Sequence, residues 1–129
     1  MIEGSCLCGG VRWQYDGVPD SALSCSCTAC RRSGALWAYA FLDQGIRVSG
    51  STQAYVRGDS LEFHFCPVCS NLAYWRGLNL NAQGQRRMAV NLRLAEPEAV
   101  GPIPIRRNDG LNDFASLPSG GRTVHDVWF

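Results

Sequence analysis

The chain of 129 residues contains no lysine; all twelve of its basic residues are arginine. That absence removes Schiff-base chemistry, a pyridoxal phosphate anchor and the Walker-type phosphate loop, each of which needs a lysine amine. A strong charge of either sign is also missing, because twelve arginines face eleven carboxylates. Such a balance carries no electrostatic footprint for nucleic acid. Long apolar runs are absent as well: the longest apolar-looking uncharged one, Ser33 to Leu42, is too short to span a membrane. The opening residues, Met1-Ile2-Glu3-Gly4-Ser5, hold neither the basic start nor the apolar stretch of a secretory signal. The expected address is therefore cytoplasmic, with no membrane partner. No internal repeat, low-complexity segment or linker divides the chain, so residues 1–129 read as one domain. That length can bury a core without covalent staples.

Cysteine is what the chain has in excess, with seven, at positions 6, 8, 25, 27, 30, 66 and 69. In a reducing compartment clustered thiols read as metal-binding or catalytic rather than as disulfides, and an odd count would leave one thiol over. They form three groups: Cys6-Leu7-Cys8, Cys25-Ser26-Cys27-Thr28-Ala29-Cys30, and Cys66-Pro67-Val68-Cys69. A two-residue gap makes a knuckle that aims two thiolates at one ion. It wants a residue tolerant of positive φ just after its second cysteine; Ser70-Asn71 follows here, and asparagine is the more tolerant of the two. A one-residue gap works differently, because residues i and i+2 of an extended segment face the same way. Seven divides naturally as four plus three. Four thiolates close a tetrahedral zinc shell, whereas three leave a position for water or substrate. The local triplet 25, 27 and 30 is the natural set of three, leaving 6/8 and 66/69 for the closed site. Spacing alone also permits a mixed set such as 6/8 with 25/27, and a redox use of Cys27 and Cys30.

Between the glycines and prolines, alternation dominates. Val11, Trp13 and Tyr15 alternate with Arg12, Gln14 and Asp16, as in a half-buried strand. Further strands are expected over Ala35–Leu42 and around Ile46–Val48, Gln53–Arg57, Leu61–Phe65, Leu72–Arg76, Met88–Leu92 and Thr123–Phe129. Helix is confined to short turns at Thr28–Ser33, stopped by Gly34, and at Glu96–Val100, started by Pro97. The fold class is thus mainly β, chiefly antiparallel. The turn-rich segment from Gly101 to Gly121 carries no clear element.

The stretches Gly4-Ser5-Cys6-Leu7-Cys8-Gly9-Gly10-Val11-Arg12, Cys25 through Ala35, and Phe65-Cys66-Pro67-Val68-Cys69 resemble the glutathione-dependent formaldehyde-activating enzyme family, which also contains centromere protein V. The resemblance covers about the first three-fifths of the chain. It implies a β-tent of small antiparallel sheets organised around zinc, with two ions per chain. It also implies a structural zinc on Cys6, Cys8, Cys66 and Cys69, and an open, substrate-side zinc on Cys25, Cys27 and Cys30. Two features depart from the family pattern: Ser70 replaces the usual glycine, and Val90-Asn91-Leu92-Arg93-Leu94 replaces a glycine-threonine-leucine-aspartate stretch. Both bear on the substrate rather than on fold or metals.

The activity implied is that of a carbon–sulfur lyase acting on the adduct of a small aldehyde with a thiol such as glutathione. A non-catalytic, zinc-stabilised module that binds a protein partner is the alternative, and the oligomeric state is open, a homo-oligomer included. Glutathione carries two carboxylates, which call for guanidinium groups near the open metal. Arg31 and Arg32 directly follow Cys30 and are the first candidates. Trp37 and Tyr39, alternating with Phe41 beyond them, are candidate pocket walls. His64 is expected on a strand surface, not as a fifth ligand, and His125 is expected to be structural.

Overall fold

The computed structural model describes residues 1–128. Its elements in chain order are β1 (Ile2–Ser5), β2 (Arg12–Tyr15), β3 (Ala22–Cys25), α1 (Thr28–Ser33), β4 (Trp37–Leu42), β5 (Gly45–Ser49), β6 (Gln53–Arg57), β7 (Leu61–Phe65), β8 (Leu72–Leu80), β9 (Arg86–Asn91), a 3-10 turn at Leu92–Leu94, α2 (Pro97–Val100), β10 (Ile105–Asn108), β11 (Ser116–Leu117) and α3 (Val124–Trp128). Among the described residues no helix is long and apolar enough to cross a membrane.

The mainly β expectation holds. Eight strands run in the spatial order β1-β2-β5-β4-β9-β8-β7-β6, while β3 joins through β4 and carries β10, which pairs β11. Most ladders are antiparallel, but β4/β5 and β3/β10 are parallel, so the sheet is mixed. The β3/β10 pairing runs from Ile105 opposite Ala22 to Asn108 opposite Cys25. It thereby brings the turn-rich segment after Gly101, where sequence patterning indicates no element, against the cysteine triplet.

Two apolar clusters form the core. The larger one includes Trp13, Ile46, Met88, Val90, Leu92, Val100 and Val124, and takes in Cys6 and Cys66. The smaller one gathers Leu23, Ala35, Trp37, Trp75 and Ala89, with Cys25 and Cys30 packed against it. The alternation of strand side chains divides them: Trp37 and Ala89 face one way, and their chain neighbours Ala38, Met88 and Val90 face the other.

The C-terminal strand expected over Thr123–Phe129 is instead α3, and Phe129 lies outside the described residues. The reason is the return arm of a capping box, which outweighs a short alternation. The Asp126 carboxylate accepts from the Thr123 backbone N–H at 2.9 Å and from its hydroxyl at 3.3 Å. Asp126 is accordingly held below its ordinary carboxylate range, first by that Thr123 N–H. His125 sits exposed on this helix, its backbone N–H bonded to the Gly101 carbonyl at 3.0 Å.

Candidate functional site

The structure gathers the seven thiols into two sets, Cys6/Cys8/Cys66/Cys69 and Cys25/Cys27/Cys30, with the sulfurs of each set within 4.8 Å of one another. A tetrahedral ion with metal–sulfur bonds of about 2.3 Å requires sulfurs separated by about 3.8 Å. The Cys6–Cys8 separation is 3.7 Å and the Cys8–Cys66 separation 3.5 Å, so the first set already has the dimensions of a closed shell. Backbone donors aim its sulfurs. Val11 N–H donates to Cys6 Sγ at 3.2 Å, and Val68 and Cys69 N–H donate to Cys66 Sγ at 3.4 and 3.5 Å.

Two loops supply that geometry. After β1 the chain turns at Gly9, φ 81°, and the Cys6 N–H pairs with the Val11 carbonyl at 3.0 Å. After β7 the knuckle closes through Ser70 N–H to the Cys66 carbonyl at 2.9 Å. The positive φ that the knuckle needs falls on Ser70, at 66°, and not on the more tolerant Asn71. Asn71 is engaged elsewhere. Its Oδ1 accepts the Leu7 N–H at 2.7 Å and clips the two loops together.

His64 is not on a strand surface as expected. It is buried, with Nδ1 2.7 Å from Thr52 Oγ1, Nε2 2.9 Å from Glu62 Oε1, and its ring stacked on Tyr74 at 4.7 Å. Glu62 also receives Arg76 at 2.7 Å. A polar group is buried without penalty when its partners are fixed in this way, and the register shift between His64 and Phe65 in the β7/β8 ladder accompanies the arrangement.

The triplet is built locally. Cys25 ends β3, Cys27 is the N-cap of α1 and Cys30 lies inside it. The Cys27 sulfur accepts from Cys30 N–H at 3.4 Å, and Cys25 Sγ from Cys27 N–H at 3.5 Å. Gly34, left-handed at φ 67°, stops the helix as its sequence position indicated and returns its N–H to the Cys30 carbonyl. Trp37, only 1% exposed, donates Nε1–H to Cys30 Sγ at 3.2 Å. Gly110, in the loop after β10, lies so close that a Cβ there would overlap the Cys27 backbone and stand 2.7 Å from Cys25 Sγ. All three thiols are partly exposed.

In both sets the thiols shift against one another. The Asn71 backbone N–H leads in lowering Cys69 to about 6. The Gly10 N–H lowers Cys8, but the Cys66 and Cys6 thiols outweigh it and push Cys8 up to about 11. Burial, followed by the Cys27 thiol, pushes Cys30 up to about 12. Thiols so close cannot all ionise unless a cation sits among them, and a cation reverses that balance by deprotonating its ligands. Donor set, spacing and sulfur-directed N–H groups therefore fit a metal ion in each set.

Beside the triplet opens a pocket of about 230 Å³, bordered by Cys25 and Cys30 and by the guanidinium side chains of Arg31, Arg93 and Arg107. Arg93 is held by its Nε–H on the Gly34 carbonyl at 2.7 Å and lies over the Trp128 ring. Arg107 is held by the Pro118 carbonyl at 2.9 Å. Of the candidates named from sequence, Arg31 borders this pocket, whereas Arg32 lines a different groove. Trp37 lies beneath the triplet rather than in the pocket wall. Tyr39 is half-buried, with Arg87 and Arg106 over its ring at 5.0 and 5.9 Å. Burial raises its hydroxyl to about 12 against the pull of Arg87. Arg93, Arg107 and Gly110 escaped the sequence reading. The signal available for them was compositional: an arginine in the segment that departs from the family pattern, and an arginine pair before a turn.

Comparison with known proteins bears on the fold and the family. The crystal structure of a Rhodobacter sphaeroides protein, solved as a structural-genomics target, is similar with a TM-score of 0.60 and 25% identity, covering 81% of this chain and 99% of that one. No curated protein matches in sequence. The family model described as glutathione-dependent formaldehyde-activating enzyme matches residues 1–103, a span that includes all seven cysteines, and the chain belongs to that family.

Proposed function

We propose that the chain is a zinc-dependent carbon–sulfur lyase-type enzyme that joins and separates a glutathione-like thiol and a small aldehyde such as formaldehyde. Family membership points to glutathione-dependent formaldehyde activation. The observation that carries the finer reading is the partly exposed triplet opening onto a pocket with three guanidinium groups. Cys6, Cys8, Cys66 and Cys69 would hold a structural zinc, and Cys25, Cys27 and Cys30 the second one. When bound there, zinc supplies a fourth coordination position and the positive charge that keeps a ligand thiol ionised.

The chain's own residues do the rest. Arg31, Arg93 and Arg107 receive the carboxylates of the thiol substrate and orient its sulfur toward the triplet. Arginine suits this role because its fork meets a carboxylate through two hydrogen bonds. Trp37 Nε1–H fixes the Cys30 sulfur, and the absence of a side chain at Gly110 lets its backbone pack against Cys27 and Cys25. In the synthetic direction the substrate sulfur adds to the aldehyde carbon. One C–S bond forms, the carbonyl π bond becomes a C–O single bond, and the proton given up by the thiol ends on that oxygen. The reverse direction cleaves the same C–S bond. Three thiolates with one divalent ion carry a net charge of −1, so capture and positioning of the thiol contribute more than polarisation of the aldehyde.

Protein purified without chelator is expected to hold two zinc ions per chain and to accelerate the exchange between glutathione and formaldehyde, followed by NMR. One ion and no acceleration would leave a zinc-stabilised binding module in place of an enzyme. No ion at all would overturn the metal reading.

A further inference from the structure

On the far side of α1 from that pocket lies a second cavity, of about 440 Å³. Helical spacing separates the two. Ala29, Arg32 and Ser33 share one face of α1, while Cys30 and Arg31 turn toward the triplet. The floor is the face of β6, β7 and β8 that carries Tyr55, Phe63, Phe65 and Leu72, with Arg57 at the end of β6 on the same face. Tyr55 pairs across the ladder with Phe63, and Phe65 pairs with Leu72, so the rings form one continuous apolar surface. Tyr55 is 59% exposed on it.

Two guanidinium groups border this surface. Among the described residues neither Arg32 nor Arg57 has an ion-pair partner, and no carboxylate lines the cavity. The nearest acid along β7, Glu62, lies on the opposite face, committed to Arg76 and His64. An apolar floor bordered by two unpaired cations and no acid is complementary to a flat apolar molecule with an anionic head. Aromatic faces stack on the body of such a ligand, and the arginine forks take its carboxylate. The volume falls within the range of about 300–1,000 Å³ usual for small-molecule sites. Its nine lining residues are far fewer than the roughly 20–30 a side of a stable protein interface.

We infer that the groove between α1 and β6–β8 is a binding site for a small aryl carboxylate, separate from the thiol pocket. Besides sharing α1, the two sites meet beneath it. The Phe63 ring lies 6.4 Å from the Trp37 ring, whose Nε1–H holds Cys30 Sγ. An occupant of the groove therefore packs one side chain away from the tryptophan that fixes a triplet sulfur. Binding itself does not depend on the thiol chemistry proposed above.

The test is an amide NMR titration of the full chain, as purified, with 2-naphthoate and with 2-naphthalenemethanol, its neutral counterpart. Saturable one-to-one binding of the acid is expected, with shifts centred on Ala29, Ser33, Phe63 and Leu72. Affinity for the acid should exceed that for the alcohol at least about tenfold, and the exposed double change Arg32→Gln and Arg57→Gln should remove that advantage. Binding that does not saturate, equal affinity for acid and alcohol, indifference to the double change, or shifts centred on Arg93 and Arg107 would each overturn the site. None of these readouts depends on turnover, so this inference and the proposed activity fail separately.

Discussion

Cys8 and Cys66, whose sulfurs stand 3.5 Å apart, are separated by 58 residues of chain, and the set they belong to has two members buried in the larger core. Cys25, Cys27 and Cys30 fall within six consecutive positions and all remain partly exposed against the smaller core. An ion in the first set closes a long loop and ties β1 to the end of β7, so its binding free energy is folding free energy. An ion in the second set closes almost no loop. α1 already holds that geometry through its own cap, which leaves the ion available to exchange a ligand. On the proposed reading, the same chemical group would serve stability where its partners are distant in sequence, and reactivity where they are local.

The contrast breaks most directly with one substitution in each set. Cys66→Ala is expected to cost on the order of 5 kcal/mol, comparable to the whole stability of many domains. Cys30→Ala should cost no more than about 1.5 kcal/mol while removing one bound ion and the response to glutathione. Denaturant melts paired with metal analysis read both; equal destabilisation by the two would sink the division. A smaller effect should follow from Gly110→Ala. The added methyl must displace the Cys27 backbone or the Cys25 sulfur, costing about 1–3 kcal/mol and weakening metal retention in the triplet at least about tenfold. Retention in the four-cysteine set should not change. A competition titration with a chelator distinguishes the two losses.

The smallest effect belongs to the polar cluster beside the closed set. Arg76 first, and then His64, hold the Glu62 carboxyl below its ordinary value of 4.5. A carboxylate depressed in the folded state contributes stability that is fully present above its unfolded pKa and lost as pH falls through the folded one. Glu62→Gln should therefore cost about 0.5–1 kcal/mol at neutral pH, with the gap from the parent chain shrinking below pH 4.5. Urea melts at a series of pH values measure the gap; one that stays constant into acid would place the cost in packing rather than charge.

What could be read from sequence tracks the reach of each interaction. The Thr28–Ser33 turn and its Gly34 stop depend on near neighbours in the chain, and spacing encodes them; the separation of 25/27/30 from the rest was only favoured by spacing, which also permitted a mixed set, and was supplied by the family resemblance. The knuckle at 66/69 was equally legible, although the positive φ fell on Ser70, the position directly after the second cysteine, while Asn71 is engaged by Leu7 across the molecule. Arg93 and Arg107 were not legible as pocket residues. Their placement needs the Leu92–Leu94 turn to pack on β1 and β10 to lie parallel to β3, and neither long-range pairing leaves a periodic trace. The burial of His64 escaped for a related reason: alternation gives the side of a strand, whereas satisfaction by Thr52 and Glu62 depends on the fold around it.

The parallel β3/β10 ladder also orders events in time. The loops carrying the four-cysteine set are complete once Asn71 has left the ribosome, and that set can close on a chain still being made. The triplet's own cysteines emerge earlier, yet Ser26 bonds Asn108, 82 residues further along, and Gly110 follows it. During synthesis the first cysteine set to appear is thus the second to gain all its neighbours, and through that interval its thiols stand without the strand that pairs with β3 beside them.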